Sequence, residues 1–398
     1  MFETLYTKHF RLLKNLKTVF RSHMHNMIDW SERMIGVKGA RGVGKTTLLL
    51  QHIREEFGTD ESCLYVNLDD IALPFENLVN LAEEFEKRGG KYLFLDEVHK
   101  YDNWSKELKN IYDSFPELHV IFTGSSMLDI LKGNADLSRR AIVYHMKGLS
   151  FREFIQIKTD KTFPGYTISD ILKNHISICR EINESIKPFQ YFNDYLKFGY
   201  YPFFLESETN YHSKLSNTLS LTLQTDLLLL SNIETQYISK IKKLLNLLST
   251  NVPYKPNISN LSAAIGVSWQ SVIHYLQSLH EACIIFLIHQ EGKSISSLAK
   301  PEMIYLFHPN LFYLFQYEQP NFGSLRESFF LNQVSQKHSI EKAKRGDFVV
   351  DGKYYFELGG KNKTPHQIAG VPNSYVVADN IEYGFGNKIP LWLFGFLY

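Results

Sequence analysis

The chain has 398 residues, 44% of them hydrophobic, with 29 Phe and 23 Tyr. That length exceeds one hydrophobic core and predicts roughly two to four units of about 100 to 150 residues, without long disordered tracts. Lys plus Arg number 43 against 42 Asp plus Glu, which excludes a global field drawing the chain onto nucleic acid or an acidic membrane and confines any such binding to a local patch.

The first recognisable element is RMIGVKG, a short apolar strand running into a glycine-rich turn. From Gly39 through Ala40, Arg41, Gly42, Val43, Gly44, Lys45 and Thr46 the chain fills G-x-x-x-x-G-K-[ST], and LLLQHIREEF continues with helical periodicity. Glycines at such a turn let successive N–H groups face a phosphate, and the helix behind adds its positive end to the same anion. Lys45 is then the expected counter-charge for the β and γ phosphates of ATP, and Thr46 an expected ligand of Mg²⁺. Thr47 is assigned to helix packing or to phosphate, and the Arg41 side chain to solvent.

CLYVNLDD at 63 to 70 reads as a further strand, ended by Asp69 and Asp70. KYLFLDEVHK is a continuous apolar run delivering Asp96 and Glu97 at a strand's C-terminal edge, where ligands sit in parallel sheets. Asp96 is expected to hold Mg²⁺ through water and Glu97 to polarise an attacking water. The extra glutamate favours hydrolysis over the phosphate transfer of small-molecule kinases; His99 is read as strand-end packing. After the helical WSKELKNIYDSF, the strand HVIFTGSS puts Thr123, Ser125 and Ser126 near the γ-phosphate. These residues are sensor candidates, or Ser125 and Ser126 cap a helix at MLDILKG. Alternation of strand and helix predicts a parallel α/β sheet. Arg139 and Arg140 stand beside the last strand, either to reach a neighbouring subunit's nucleotide in a homo-oligomer or to pair with surface acids. Ser150 and Glu153 form a capping box, which makes Arg152 structural.

GARGVGKTTLLLQ, YLFLDEVHKYDNW, IFTGSS, ADLSRRAIVYHMKGLSFREF, RESFFLNQ, GDFVV and FELGGKNKT, in this order, resemble the signature segments of prokaryotic AAA+-type ATPases with a C-terminal domain of unknown function. The resemblance spans nearly the whole chain. It implies ATP binding, a helical lid after the core, a winged-helix segment and a C-terminal module similar to restriction-endonuclease folds.

Residues 151 to 235 carry apolar-periodic stretches consistent with a lid and connecting helices. YISKIKKLLNLLST and NISNLSAAIGVSWQSVIHYLQSLHEACIIFLI read as helix, helix-turn-helix and strand, with Gly266 at the turn and Ser268 capping the second helix. That second helix offers Gln270, His274 and Gln277 but no basic residue, so protein packing is favoured over DNA reading. Farther on, SLRESFFLNQV reads as an amphipathic helix bearing Glu327, while GDFVV and KYYFELGGK put Asp347 and Glu357 on adjacent strands. Two such acids and a lysine two residues after the second would hold Mg²⁺ and steady a hydroxide. Gly359 occupies that lysine position and Lys361 lies beyond it, so a binding-only module is favoured over an active nuclease. Gln367 is placed to touch a substrate or a strand, and IPLWLFGFLY reads as a buried final strand.

The predicted organisation is a P-loop ATPase domain (1–150), a helical lid and connector (151–235), a winged-helix segment (236–310) and a restriction-endonuclease-like α/β domain (311–398). Asp347, Glu357 and Lys361 are its second candidate site. Expected partners are nucleotide, further copies of the chain, an unidentified protein, and DNA or RNA through the C-terminal modules. Cys63, Cys179 and Cys283 lack paired spacing, no apolar run approaches the ~18 residues of a membrane span, and MFETLYTKHF carries charge where a signal peptide is apolar. The sequence thus predicts a cytoplasmic protein without anchor.

Overall fold

The computed structural model describes residues 1–16, 22–126, 137–231, 233–292, 300–315 and 320–398. The helix expected at MLDILKG lies outside the described residues. Two compact units divide the chain, Met1–Gly148 and Leu149–Tyr398.

The first unit contains α1 (Phe2–Asn15), α2 (His23–Met27), β1 (Met34–Gly39), α3 (Lys45–Glu56), β2 (Cys63–Asn67), α4 (Leu78–Lys87), β3 (Tyr92–Asp96), α5 (Trp104–Ser114), β4 (His119–Ser125) and β5 (Ile142–Met146). Its five strands form one parallel sheet in the order β2-β3-β4-β1-β5. The central strands are apolar along their length because helices cover both faces of such a sheet, and Ile35, Leu93, Phe94, Leu95 and Val120 are buried. Polar residues enter only where strands end, which puts Asp96, Thr123 and Ser125 along one edge. At the sheet margin, α1 covers β2, and the Tyr65 N–H donates to Nδ1 of buried His9 (3.0 Å). Burial holds that imidazole down at about 4, in the neutral form an acceptor requires.

The second unit opens with α6 (Phe151–Thr159), capped reciprocally by Ser150 and Glu153. There follow α7 (Ile168–Ser185), α8 (Phe189–Phe198), α9 (Tyr211–Leu221) and, across a π-turn, α10 (Leu227–Ser231). Next come α11 (Ile238–Ser249), α12 (Ile258–Ile265), α13 (Trp269–Glu281) and the antiparallel pair β6 (Ile285–Ile288) and β7 (Met303–Leu306). Gly266 ends α12 at φ 68° and the Ser268 side chain accepts from the Ser271 N–H, as the sequence implies. The remainder is α14 (Asn310–Phe315), α15 (Phe322–Val334), β8 (Ile340–Lys342), β9 (Phe348–Val350), β10 (Tyr354–Gly359), β11 (Ser374–Ala378) and β12 (Lys388–Pro390). They form a mixed sheet ordered β12-β11-β10-β9-β8, parallel at β10-β11-β12 and antiparallel at β8-β9-β10.

Two expectations fail here. Instead of being amphipathic, α15 is buried on nearly every side, and its polar residues are absorbed: Asn332 donates to the Phe307 carbonyl (3.0 Å) and Gln333 to Tyr195 Oη (2.8 Å). The closing apolar run contributes only Lys388–Pro390 as strand. Leu391–Phe396 coils into a buried 3₁₀ segment, because an unalternating apolar run fits any fully buried backbone equally well.

Candidate functional site

The site grows from the turn between β1 and α3. Gly42 and Gly44 take φ 85° and 104°, conformations that only glycine enters without strain, and Lys45 and Thr46 begin a helix of 12 residues. At Gly39 a Cβ would lie 2.3 Å from the Met146 carbonyl oxygen, so the loop crosses β5 where no side chain fits. Lys45 is 5% exposed and folds over its own loop, donating to the carbonyls of Gly39 (3.0 Å) and Ala40 (3.3 Å).

Beside it β3 delivers the acids. Buried Asp96 receives three hydroxyls: Thr46 and Tyr65 donate to Oδ2, each at 2.7 Å, and Thr123 makes a short contact to Oδ1. Thr123 also accepts the Glu97 N–H at 3.1 Å. Glu97 sits at φ 57°, with its carboxylate 3.9 Å from Lys45 Nζ and 3.5 Å from His99 Nε2. An oxygen-only set of hydroxyl and carboxylate beside a helix N-terminus and a lysine suits a polyanion accompanied by a hard divalent cation.

Lys45, Thr46, Asp96 and Glu97 therefore converge. Ser125 stands opposite Gly39 and Thr123 opposite Val37 in the β1–β4 register, so it is Thr123 that touches the acid pair. Thr47 is exposed, which removes its packing assignment. Arg140 grips Asp113 with two hydrogen bonds (2.8 and 2.9 Å) and lies over the Tyr112 ring, whereas Arg139 is exposed. Sequence reasoning missed Tyr65 and gave His99 only packing; the lone hydroxyl within CLYVN was the available signal.

The second constellation lies at β9 and β10. Glu357 is fully buried and Asp347 brackets it, its N–H donating to the Phe356 carbonyl (2.8 Å) while its Oδ2 accepts the Leu358 N–H (2.7 Å). The lysine on Glu357 is not Lys361, which is exposed, but Lys363, with Nζ 2.5 Å from Oε1. A turn closed by the Lys363 N–H on the Gly360 carbonyl (2.9 Å) reverses the chain after β10, and the Lys363 stem lies where a Cβ on Gly359 would be. Burial, then the neighbouring Asp347, pushes the Glu327 carboxyl up to about 7, opposed by its hydrogen bond to Tyr305 and by Lys342 and Lys363. Gln367 is exposed. Among the described residues no group of three His, Cys, Asp or Glu side chains is arranged to hold a metal ion, and no helix is long and apolar enough to cross a membrane.

Residues 31–155 match the family model of an AAA domain, and residues 189–307 that of a domain of unknown function. The chain is similar to two uncharacterized proteins of Methanocaldococcus jannaschii. MJ1637 is 26% identical over 69% of this chain and 60% of its own length, and MJ1544 is 24% identical over 92% and 81%. The chain thus spans about three fifths of the first relative. A STAND protein with a tetratricopeptide repeat sensor from Pyrococcus horikoshii superposes over 80% of this chain and 45% of its own at 16% identity, with a TM-score of 0.29. The family match falls on the same stretch as the phosphate-type loop and the acid-bearing strand beside it, so it is residues 31–155 of this chain that are similar to an AAA domain.

Proposed function

We propose that the protein is an ATP-hydrolysing switch that uses Mg²⁺ and whose nucleotide state governs its C-terminal modules. The observation that carries this reading is the meeting of Thr46 with Asp96, and of Lys45 with Glu97, at one sheet edge. The amides of residues 39 to 46 bind the phosphates, and Lys45 leaves its own loop carbonyls to neutralise them. Thr46 and Asp96 hold Mg²⁺, which when bound neutralises charge on the phosphate oxygens. Glu97, beside Lys45 and His99, accepts a proton from the attacking water, and Thr123 keeps its backbone in register. Ser125 is a further nucleotide contact. In this reading residues 151–235 serve as lid, 236–310 as a winged helix and 311–398 as a restriction-endonuclease-like module, in a cytoplasmic protein. With Arg140 engaged by Asp113, Arg139 is the better candidate for stabilising phosphate across a homo-oligomer boundary. Phosphate release that requires Mg²⁺, is lost in Lys45→Ala and leaves nucleotide trapped in Glu97→Gln tests the reading; wild-type protein inactive with and without candidate partners refutes it.

A second reading is an ATP-regulated nuclease or DNA- or RNA-binding module at the C-terminal sheet. One observation favours it: Lys363 supplies, beside Glu357, Asp347 and Glu327, the cation that Lys361 was expected to give. Plasmid nicking by wild type with Mg²⁺, abolished in Asp347→Ala and Lys363→Ala, decides it.

A further inference from the structure

We propose that Tyr65 is a positioning residue of the nucleotide site, orienting Asp96 so that the Thr46 hydroxyl is preset to accept a divalent cation. The inference rests on the ATPase reading and deepens it. Tyr65 lies on β2, opposite Phe94, while Asp96 lies opposite Asn67. The phenol therefore has to run along the sheet by about two residues, ~7 Å, to reach the carboxylate, a span that tyrosine covers and serine or threonine does not. It arrives at 2.7 Å, with the residue 3% exposed.

Both ends of this tyrosine are held. Its backbone N–H is fixed by His9 from α1, and its hydroxyl is committed to Asp96. Asp96 then has three donors of different kinds. Thr46 belongs to the loop, whereas Tyr65 and Thr123 belong to the two strands on either side of β3. The two strand hydroxyls fix the plane of the carboxylate whatever the loop does. Once the plane is fixed, the Thr46 proton is claimed by Oδ2 and its lone pairs are left for a cation. Partners that orient a ligand in this way commonly change metal affinity or activity by about 10- to 100-fold when removed.

Tyr65→Phe removes one oxygen and leaves Asp96 with two hydroxyl donors, so the fold is expected to persist, as a thermal melt would verify. The assay is fluorescence binding of a labelled ATP analogue to wild type and Tyr65→Phe, without metal and over a Mg²⁺ titration. Metal-free affinity should be unchanged, because the loop amides are untouched. The Mg²⁺ midpoint should rise about tenfold. A midpoint within twofold of wild type, or an equal loss of affinity with and without metal, overturns the positioning role while leaving the ATPase reading intact. Wild type that takes up no nucleotide overturns both. If the phenylalanine variant does not fold, 3-fluorotyrosine installed at position 65 alone keeps the shape and strengthens the donor; a midpoint below wild type sustains the role and one at or above it refutes it.

Discussion

Replacing Lys363 by alanine isolates the buried pair at β10. Glu357 is fully buried and Lys363 Nζ is the cation on it, 2.5 Å away. Removing one member of a buried pair costs about 3–5 kcal/mol, because the remaining charge is stranded in a poorly polarisable surrounding. For a unit of this size the loss corresponds to a melting shift of roughly 6–20 °C. Thermal melts of wild type and Lys363→Ala at pH 7 would record it. Lys361→Ala, at an exposed position, should change stability by less than about 0.5 kcal/mol. Equal effects of the two alanines, or a Lys363→Ala protein within 1 kcal/mol of wild type, as ~1 kcal/mol is the ordinary effect of any substitution, would refute the pairing.

Other expectations concern the first unit. Lys45→Ala should lower ATP affinity at least about tenfold by removing the counter-charge, and equilibrium binding that is unchanged would count against the loop as the nucleotide site. Glu97→Gln should bind nucleotide normally yet slow single-turnover hydrolysis by about 100-fold or more, in line with loss of a general base. His9 is held neutral with its value depressed to about 4, so the unfolded chain takes up that proton first. Stability should be flat above pH 6.5 and fall by about 3 kcal/mol on acidification toward 4, a loss read by urea melts and reduced in His9→Gln. Arg140→Ala should cost roughly 1 kcal/mol, since it breaks a partly exposed two-bond pair with Asp113, while Arg139→Ala should leave stability alone. If Arg139 acts in trans, mixing Arg139→Ala with Glu97→Gln protein should restore hydrolysis.

The glycine-rich loop was legible because its chemistry is local. A glycine-rich turn, the lysine and the helix behind it are consecutive in sequence, and no tertiary contact is needed to read them. The acid pair was nearly as plain, since a parallel strand announces its end by the first polar residue after an apolar run. Tyr65 showed only as a lone hydroxyl in an apolar strand, because its contact with Asp96 depends on which strand lies beside β3, and strand order is set by packing rather than by any local pattern. Lys361 misled for a related reason. Counting along an extended strand fails once a turn folds the chain back, and the two glycines at 359 and 360, though visible, did not say which later lysine would return. The closing run and α15 show the limit of periodicity: where every face is covered, neither the period of a strand nor that of a helix survives in the residues.

Glu97 adopts a left-handed backbone at φ 57°, a state that glycine or asparagine enters more readily. A search for thermostable variants should therefore find gains at this position, and each gain would remove the group to which proton abstraction is attributed. On the proposed reading the residue is retained against the preference of its own main chain, and resistance to heat and turnover pull this one position in opposite directions.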